Sequence, residues 1–220
     1  LFVYRPSAID DPAAYVRIWA EECVRHGVAR PYVVATLTRG AVDAAHYSMD
    51  AASERVLHDW TGGAVPELKE TVQAYRPVEG SVLDYGQVVA HYKRQVLDRS
   101  VPLFRSLVPT WDNTPRYGSQ ANLLHRFDTR HFQDWFEFLI ADAEQHLAAD
   151  RRFVIVNAWN EWAEGAHLEP DRYFGYGYLN AIGRALSARA FDDTSYLLSS
   201  LQQPVRLRLN VAPAVHDAFA

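Results

Sequence analysis

The chain has 220 residues, 49% hydrophobic and 13% aromatic, enough to bury a sizeable core as one large domain or two small ones and too apolar for a disordered chain. The formal net charge is -5 and no basic cluster exceeds a pair, which argues against a polyanion partner such as nucleic acid. One cysteine, Cys23, rules out an internal disulfide, and no apolar run approaches the roughly 18 residues of a membrane span, so a reducing, cytoplasmic setting is expected.

Leu1 to Tyr4 reads as a strand, and because the chain opens inside it rather than with methionine, an upstream segment is expected. Asp11 can cap a helix that begins at Pro12, presents Val16, Trp19, Ala20, Cys23 and Val24 on one face, and stops at Gly27. Cys23 on that face is expected to be a buried thiol. Tyr32 to Leu37 is apolar throughout and reads as the next strand, which completes a βαβ unit. Ala41 to Arg55 reads as a helix, Val56 to Trp60 as a short strand, and Thr61-Gly62-Gly63 as a turn. Asp84 with Gln87 resembles a capping box for a helix with Tyr85, Val88, Val89, Tyr92 and Val96 on one face. A strand over Val101 to Pro109 then leads into the polar and aromatic loop Trp111-Asp-Asn-Thr-Pro-Arg116, read either as an Asx turn alone or as a turn that also contacts a ligand. Thr129 can cap the clearest amphipathic helix in the chain, with Phe132, Trp135, Phe136, Leu139, Ile140, Ala143 and Leu147 facing the core.

The most informative stretch follows. Phe153 to Val156 reads as a strand covered on both faces, and it breaks into Asn157, Trp159, Asn160, Glu161, Trp162 and Glu164 before Gly165. Carboxylate pairs can divide acid and base roles in glycosyl transfer, indoles stack on the apolar faces of sugar rings, and amides pair with hydroxyls. Core tryptophans beside solvated glutamates are the plainer reading. The position directly after a buried strand, where parallel sheets place their sites, favours the functional one.

Gly175 to Arg189 reads as a last helix through Leu179, Ile182 and Leu186, and Val205 to Val211 alternates like a half-exposed edge strand. About five strands alternating with helices predict an α/β fold with a parallel sheet. A complete eight-stranded barrel needs about 250 residues, so the expectation is a (β/α)8 TIM-barrel-like fold with the last five or so units present. Residues 1–190 would form the partial barrel and 191–220 a C-terminal extension. A doubly wound sheet is the alternative. With no Gly-x-Gly-x-x-Gly or Walker sequence, no cofactor is expected.

From Asn157 to Asp171, with Tyr173 and Gly175-Tyr176, the sequence resembles the WbsX-type family of polysaccharide-biosynthesis glycosyltransferases, and Trp111 to Arg116 resembles that family's second signature. The resemblance covers roughly residues 1–186 and the later part of the family domain. That family is in turn similar to the endo-α-mannosidase glycoside hydrolases, (β/α)8 barrels with a Trp-Asn-Glu-Trp-x-Glu-Gly segment. It implies that Glu161 assists at the sugar 2-hydroxyl and that Glu164 is the general acid/base. Ala163 stands where those hydrolases usually carry histidine, which leans toward the WbsX-type branch. Trp111, Asp112, Asn113, Arg116, Asn157, Trp159, Asn160, Trp162 and Glu169 are the expected substrate contacts.

If the loop turns helically, Glu161 and Glu164 have β-carbons about 5–6 Å apart, a spacing that suits retention. Like charges so close favour protonation of one, as a general acid requires. His167, Glu169 and Asp171 could be drawn as a metal cluster, but no second histidine lies at ligand spacing and Pro170 explains a turn equally well, so no metal is expected. Tyr173, Tyr176 and Tyr178 read as packing or as a sugar subsite. The expected partner is a glycan with an α-linked, mannose-like residue; transfer and hydrolysis both remain open. The contrasting reading is a truncated barrel that binds glycan or a partner subunit without turnover.

Overall fold

A computed structural model describes residues 1–38, 44–56, 63–72 and 77–187. They belong to a unit over Leu1–Arg189; a second unit, Ala190–Ala220, lies outside the described residues, as does the strand expected over Val205 to Val211.

Strands β1 (Phe2–Tyr4), β2 (Val34–Thr36), β3 (Ala51–Ser53) and β5 (Leu103–Phe104) pair side by side, all parallel. After Arg105 the chain re-enters extended structure as β6 (Ser106–Leu107), which pairs in parallel with β8 (Ile155–Val156). The strands thus follow one another in space in chain order, the succession expected of repeated βα units. Arg105 is buried at the junction, where it meets the carboxylate of Glu54 at 3.3 Å and donates to the Tyr92 carbonyl at 2.9 Å. A separate parallel pair, β4 (Val82–Asp84) with β7 (Leu123–His125), interrupts this run in the sequence, β4 falling between β3 and β5 and β7 between β6 and β8.

Helix α1 (Pro12–Arg25) starts where its cap predicts, with the Asp11 carboxylate accepting from the Ala14 amide at 2.8 Å. Its apolar face is another matter: among the expected positions only Val16 is buried, Cys23 is half-buried, and Trp19 and Val24 are largely exposed. In α2 (Tyr85–Arg94) Asp84 caps through the Gln87 amide and Tyr85, Val88, Val89 and Tyr92 are buried, whereas Val96 lies beyond the helix end in solvent. Helix α5 (Gly177–Ser187) buries Tyr178 and Ala181, with Leu179 and Ile182 packed against the same core and Leu186 exposed.

The helix expected over Ala41 to Arg55 is not there in its described part: Ala44–Tyr47 is a 3-10 turn and Ala51–Ser53 is β3. Alanine favours helix locally, but Ala51 and Ala52 are buried between β2 and β5, and the ladder decides. Of the strand expected over Val56 to Trp60, Val56 is a turn and the rest falls outside the described residues, as do Thr61 and Gly62 of the expected turn.

Helix α4 (Thr129–His146) buries Phe132, Trp135, Phe136, Leu139 and Ala143, as its periodicity predicts, with Trp135 stacked on Tyr92. Its cap is Asp128 rather than Thr129: the Asp128 carboxylate accepts from the His131 amide at 2.8 Å and also meets the His131 ring. Asp128→Ala is therefore expected to lower stability by about 1 kcal/mol in denaturant titration at neutral pH, and Thr129→Ala by less. Burial pushes the Asp128 carboxyl up, but the amides of His131 and Arg130 and the His131 ring outweigh it and hold the carboxyl below its usual 3.8. The unfolded chain then binds the extra proton, so the contribution is complete above that usual value and is lost as pH falls through the lowered native one. The Asp128→Ala deficit should shrink over that acid window.

Among the described residues no helix is long and apolar enough to cross a membrane.

Candidate active site

Two loops leave the C-terminal ends of neighbouring parallel strands, β6 and β8, and the Asn157 amide continues the ladder to the Leu107 carbonyl at 2.9 Å. This adjacency brings together residues more than forty positions apart in sequence.

The first loop is built for rigidity. The Trp111 carbonyl accepts from the Leu124 amide of β7 at 2.9 Å, and the Asn113 carboxamide accepts from the Asn122 amide at 2.8 Å. Asp112 takes the Thr114 amide at 2.9 Å, an Asx-type start for the short helix α3 (Thr114–Tyr117). Trp111 and Asn113 are buried. Arg116, on α3, is the side chain that reaches across.

The second loop is a hairpin. Strand β9 (Asn160–Glu161) pairs antiparallel with β10 (Ala166–His167), Glu161 opposite Ala166 and Asn160 opposite His167. Between them Trp162–Glu164 forms a 3-10 turn closed by Gly165 at φ 60°. The loops are stitched together where they meet, by the Asp112 amide to the Glu164 carbonyl at 2.8 Å and by the Thr110 hydroxyl to the Gly165 carbonyl.

Arg116 then bridges both acids, with Nη1 on Glu164 at 2.6 Å and Nη2 on Glu161 at 3.3 Å. The repulsion expected between two neighbouring carboxylates is thereby offset by one guanidinium held against both. The Glu164 side chain is 14% exposed against 36% for Glu161, so Glu164 is the more enclosed acid.

The other expected contacts divide. Trp159, Asn160 and Trp162 are exposed around the pair, and Asn157 is half-buried at the end of β8. The Trp159 carbonyl accepts from the amides of Leu168 and Glu169 at 2.9 and 3.0 Å, which folds the loop back on itself. The Glu169 carboxylate takes the Trp162 indole N-H at 2.6 Å. Asp171 takes His167 instead, at 3.0 Å, so the acids of the imagined metal cluster point to different partners. Among the described residues no group of three His, Cys, Asp or Glu is placed to hold a metal. Tyr178 is core, while Tyr173 and Tyr176 are exposed. Strand β8, expected to be covered on both faces, is only half-buried, and Phe153 before it is exposed, because among the described residues only β6 pairs with it.

Thr110, Trp111, Asp112 and Gly165 also border a cavity of about 1270 Å³. Neither Glu161 nor Glu164 lines it. His167, opposite Asn160 on the hairpin that carries the acids, and Asp171 do line it.

Residues 1–182 match the model of the family described as Glycosyltransferase WbsX. The chain belongs to the WbsX glycosyltransferase family. Two curated proteins, both called Uncharacterized protein WxcX and from two strains of Xanthomonas campestris pv. campestris, are 30% and 29% identical over 199 residues. The match takes 90% of this chain and 28% of theirs, so this WbsX-family chain spans under a third of those relatives. Among solved structures, a glycoside hydrolase-like protein shares the fold with a TM-score of 0.50 at 13% identity, covering 84% of this chain and 53% of that one. The GH99 endo-alpha-mannosidase from Bacteriodes thetaiotaomicron superposes with a TM-score of 0.41 at 15% identity, over 90% of this chain and 57% of that one.

Proposed function

We propose that residues 1–190 form the catalytic unit of a glycosyl-transferring enzyme, on a (β/α)8-type barrel to which this chain contributes five consecutive units, acting on a glycan with an α-linked, mannose-containing residue. The observation that carries the reading is the Arg116 bridge between Glu161 and Glu164 at the ends of adjacent parallel strands. Glu164, the more enclosed acid, protonates the departing glycosidic oxygen in hydrolysis or takes the acceptor hydroxyl proton in transfer, while Glu161 acts at the 2-hydroxyl or the anomeric carbon. Arg116 sets the spacing of the two acids, and the exposed indoles of Trp159 and Trp162 offer faces for pyranose stacking. The half-exposed edge at β8 suits closure by further strands of the whole protein, and the cysteine content suits a cytoplasmic setting.

The reading is tested by incubating purified full-length protein with nucleotide-sugar donors and, separately, with mannan-type oligosaccharides; turnover of neither would sink it. Arg116→Ala is expected to reduce kcat roughly 10–100-fold and Arg116→Lys by less, in steady-state assays, because lysine keeps the charge but loses the fork that bridges the two acids. The alternative is a barrel fragment that binds glycan without turnover, in which the Arg116 ion pairs with both acids are structural. Undiminished oligosaccharide affinity in the Glu161→Gln, Glu164→Gln double variant, with no product from the wild type, would favour that second reading.

A further inference from the structure

His167 and Asp171 are left over from both the metal reading and the acid pair, yet they are tied into the site more tightly than most of its named members. The His167 ring lies flat under the Trp162 indole, centroids 3.7 Å apart and planes inclined by 19°. Its Nε2 meets Asp171 at 3.0 Å. Asp171 in turn is fixed by the amides of Tyr173 and Phe174, at 2.6 and 2.5 Å. From the turn at Asp171 to Phe174 an unbroken line of short contacts therefore runs through His167 to Trp162.

Trp162 is where that line meets the chemistry. It is the first residue of the 3-10 turn, with Glu161 directly before it and Glu164 two residues after it. Its indole is 49% exposed, and a half-solvated side chain on a short turn would ordinarily sample several rotamers. Here it is held at two points, by the flat contact with His167 and by the indole N-H to Glu169 at 2.6 Å. The strand register reinforces the hold, since His167 on β10 stands opposite Asn160, two residues before Trp162.

The chemistry of the ring argues against simple filling. His167 Nδ1 is buried and has no hydrogen-bond partner among the described residues, a liability that a phenylalanine in the same place would not carry. What histidine adds is a flat face toward Trp162 combined with an edge that Asp171 can aim.

Resting on the proposed glycosyl-transfer reading, we infer that His167 and Asp171 are positioning residues: Asp171 aims the His167 ring, the ring holds Trp162, and Trp162 sets the turn that carries Glu161 and Glu164. The face of Trp162 away from His167 is then a preset platform for a sugar ring beside the acids.

The test uses full-length protein labelled with 5-fluorotryptophan, the Trp162 signal being assigned by its loss in Trp162→Phe. His167→Ala is expected to shift and broaden that signal and to lower kcat about 100-fold, the scale of a misplacement near 1 Å. His167→Phe, which keeps the flat face but loses the contact with Asp171, should restore part of the signal and of kcat; His167→Leu, which fills space without a flat face, should restore neither. Asp171→Asn, a near-isosteric change, should broaden the signal without loss of fold and serves where His167→Ala does not fold. An unchanged Trp162 signal in His167→Ala and in Asp171→Asn overturns the inference, as does equal rescue by leucine and phenylalanine. So does a shifted signal with kcat intact. If the wild type turns nothing over, the functional reading falls, and the fluorine signal still decides whether His167 and Asp171 hold Trp162.

Discussion

Glu164→Gln should lower kcat by about 10²–10⁴-fold, the contribution of a positioned proton-transfer group, with the melting temperature and oligosaccharide affinity nearly unchanged. Glutamine keeps the shape of the side chain and an oxygen that can still accept from Arg116, now 2.6 Å from the acid. The tie from the Asp112 amide goes to the Glu164 main chain, at 2.8 Å, and is untouched by the change. What disappears is the transferable proton. Steady-state kinetics beside thermal unfolding separate the two effects: turnover within threefold of wild type would remove Glu164 from the proton-transfer role, and a large fall in melting temperature would mean that the residue is structural.

Gly165→Ala should be the more damaging change to the molecule itself. Gly165 sits at φ 60°, where a β-carbon costs about 1–2 kcal/mol in any residue. The added methyl would also lie 2.9 Å from the Asp112 amide nitrogen and 3.2 Å from the Asp112 carbonyl oxygen, so backbone rather than a flexible side chain has to yield. Yielding separates the two loops and strains the bonds that join them, from the Asp112 amide to the Glu164 carbonyl and from the Thr110 hydroxyl to the Gly165 carbonyl. With about 1 kcal/mol for each weakened bond, a total loss of roughly 3–4 kcal/mol is expected. Calorimetry or denaturant titration reads it directly. Activity should fall further than stability, because the same separation draws Arg116 away from Glu161 and Glu164; a variant with wild-type stability and activity would show that the close approach at Gly165 is unnecessary.

The features legible in the sequence share one property, short range. Asp11 and Asp84 each bond an amide three residues on, and the inward face of α4 repeats along a single helix. Such signals need no knowledge of what lies across the sheet. The polar and aromatic loop after Val156 was readable for a related reason, since a strand followed at once by amides, indoles and acids is a local pattern.

The unreadable features were settled by pairing. Ala51–Ser53 is a strand because β2 and β5 flank it, and β4 and β7 are three residues each, too short to show a period. Trp111 and Asn113 were expected as substrate contacts through the resemblance, and only the ties of their loop to Leu124 and Asn122 show that both are buried. Val24 and Trp19 carry helical spacing, yet they remain 64% and 45% exposed.

By itself the sequence determined which residues gather after β8, how α1 and α2 begin and which face of α4 turns inward, because capping bonds and amphipathic spacing act within a few residues. Only the tertiary structure decided that Arg116 stands between Glu161 and Glu164, 45 and 48 positions away, and that His167 lies under Trp162. Those contacts follow from β6 lying beside β8 and from the hairpin register, neither of which any local preference encodes.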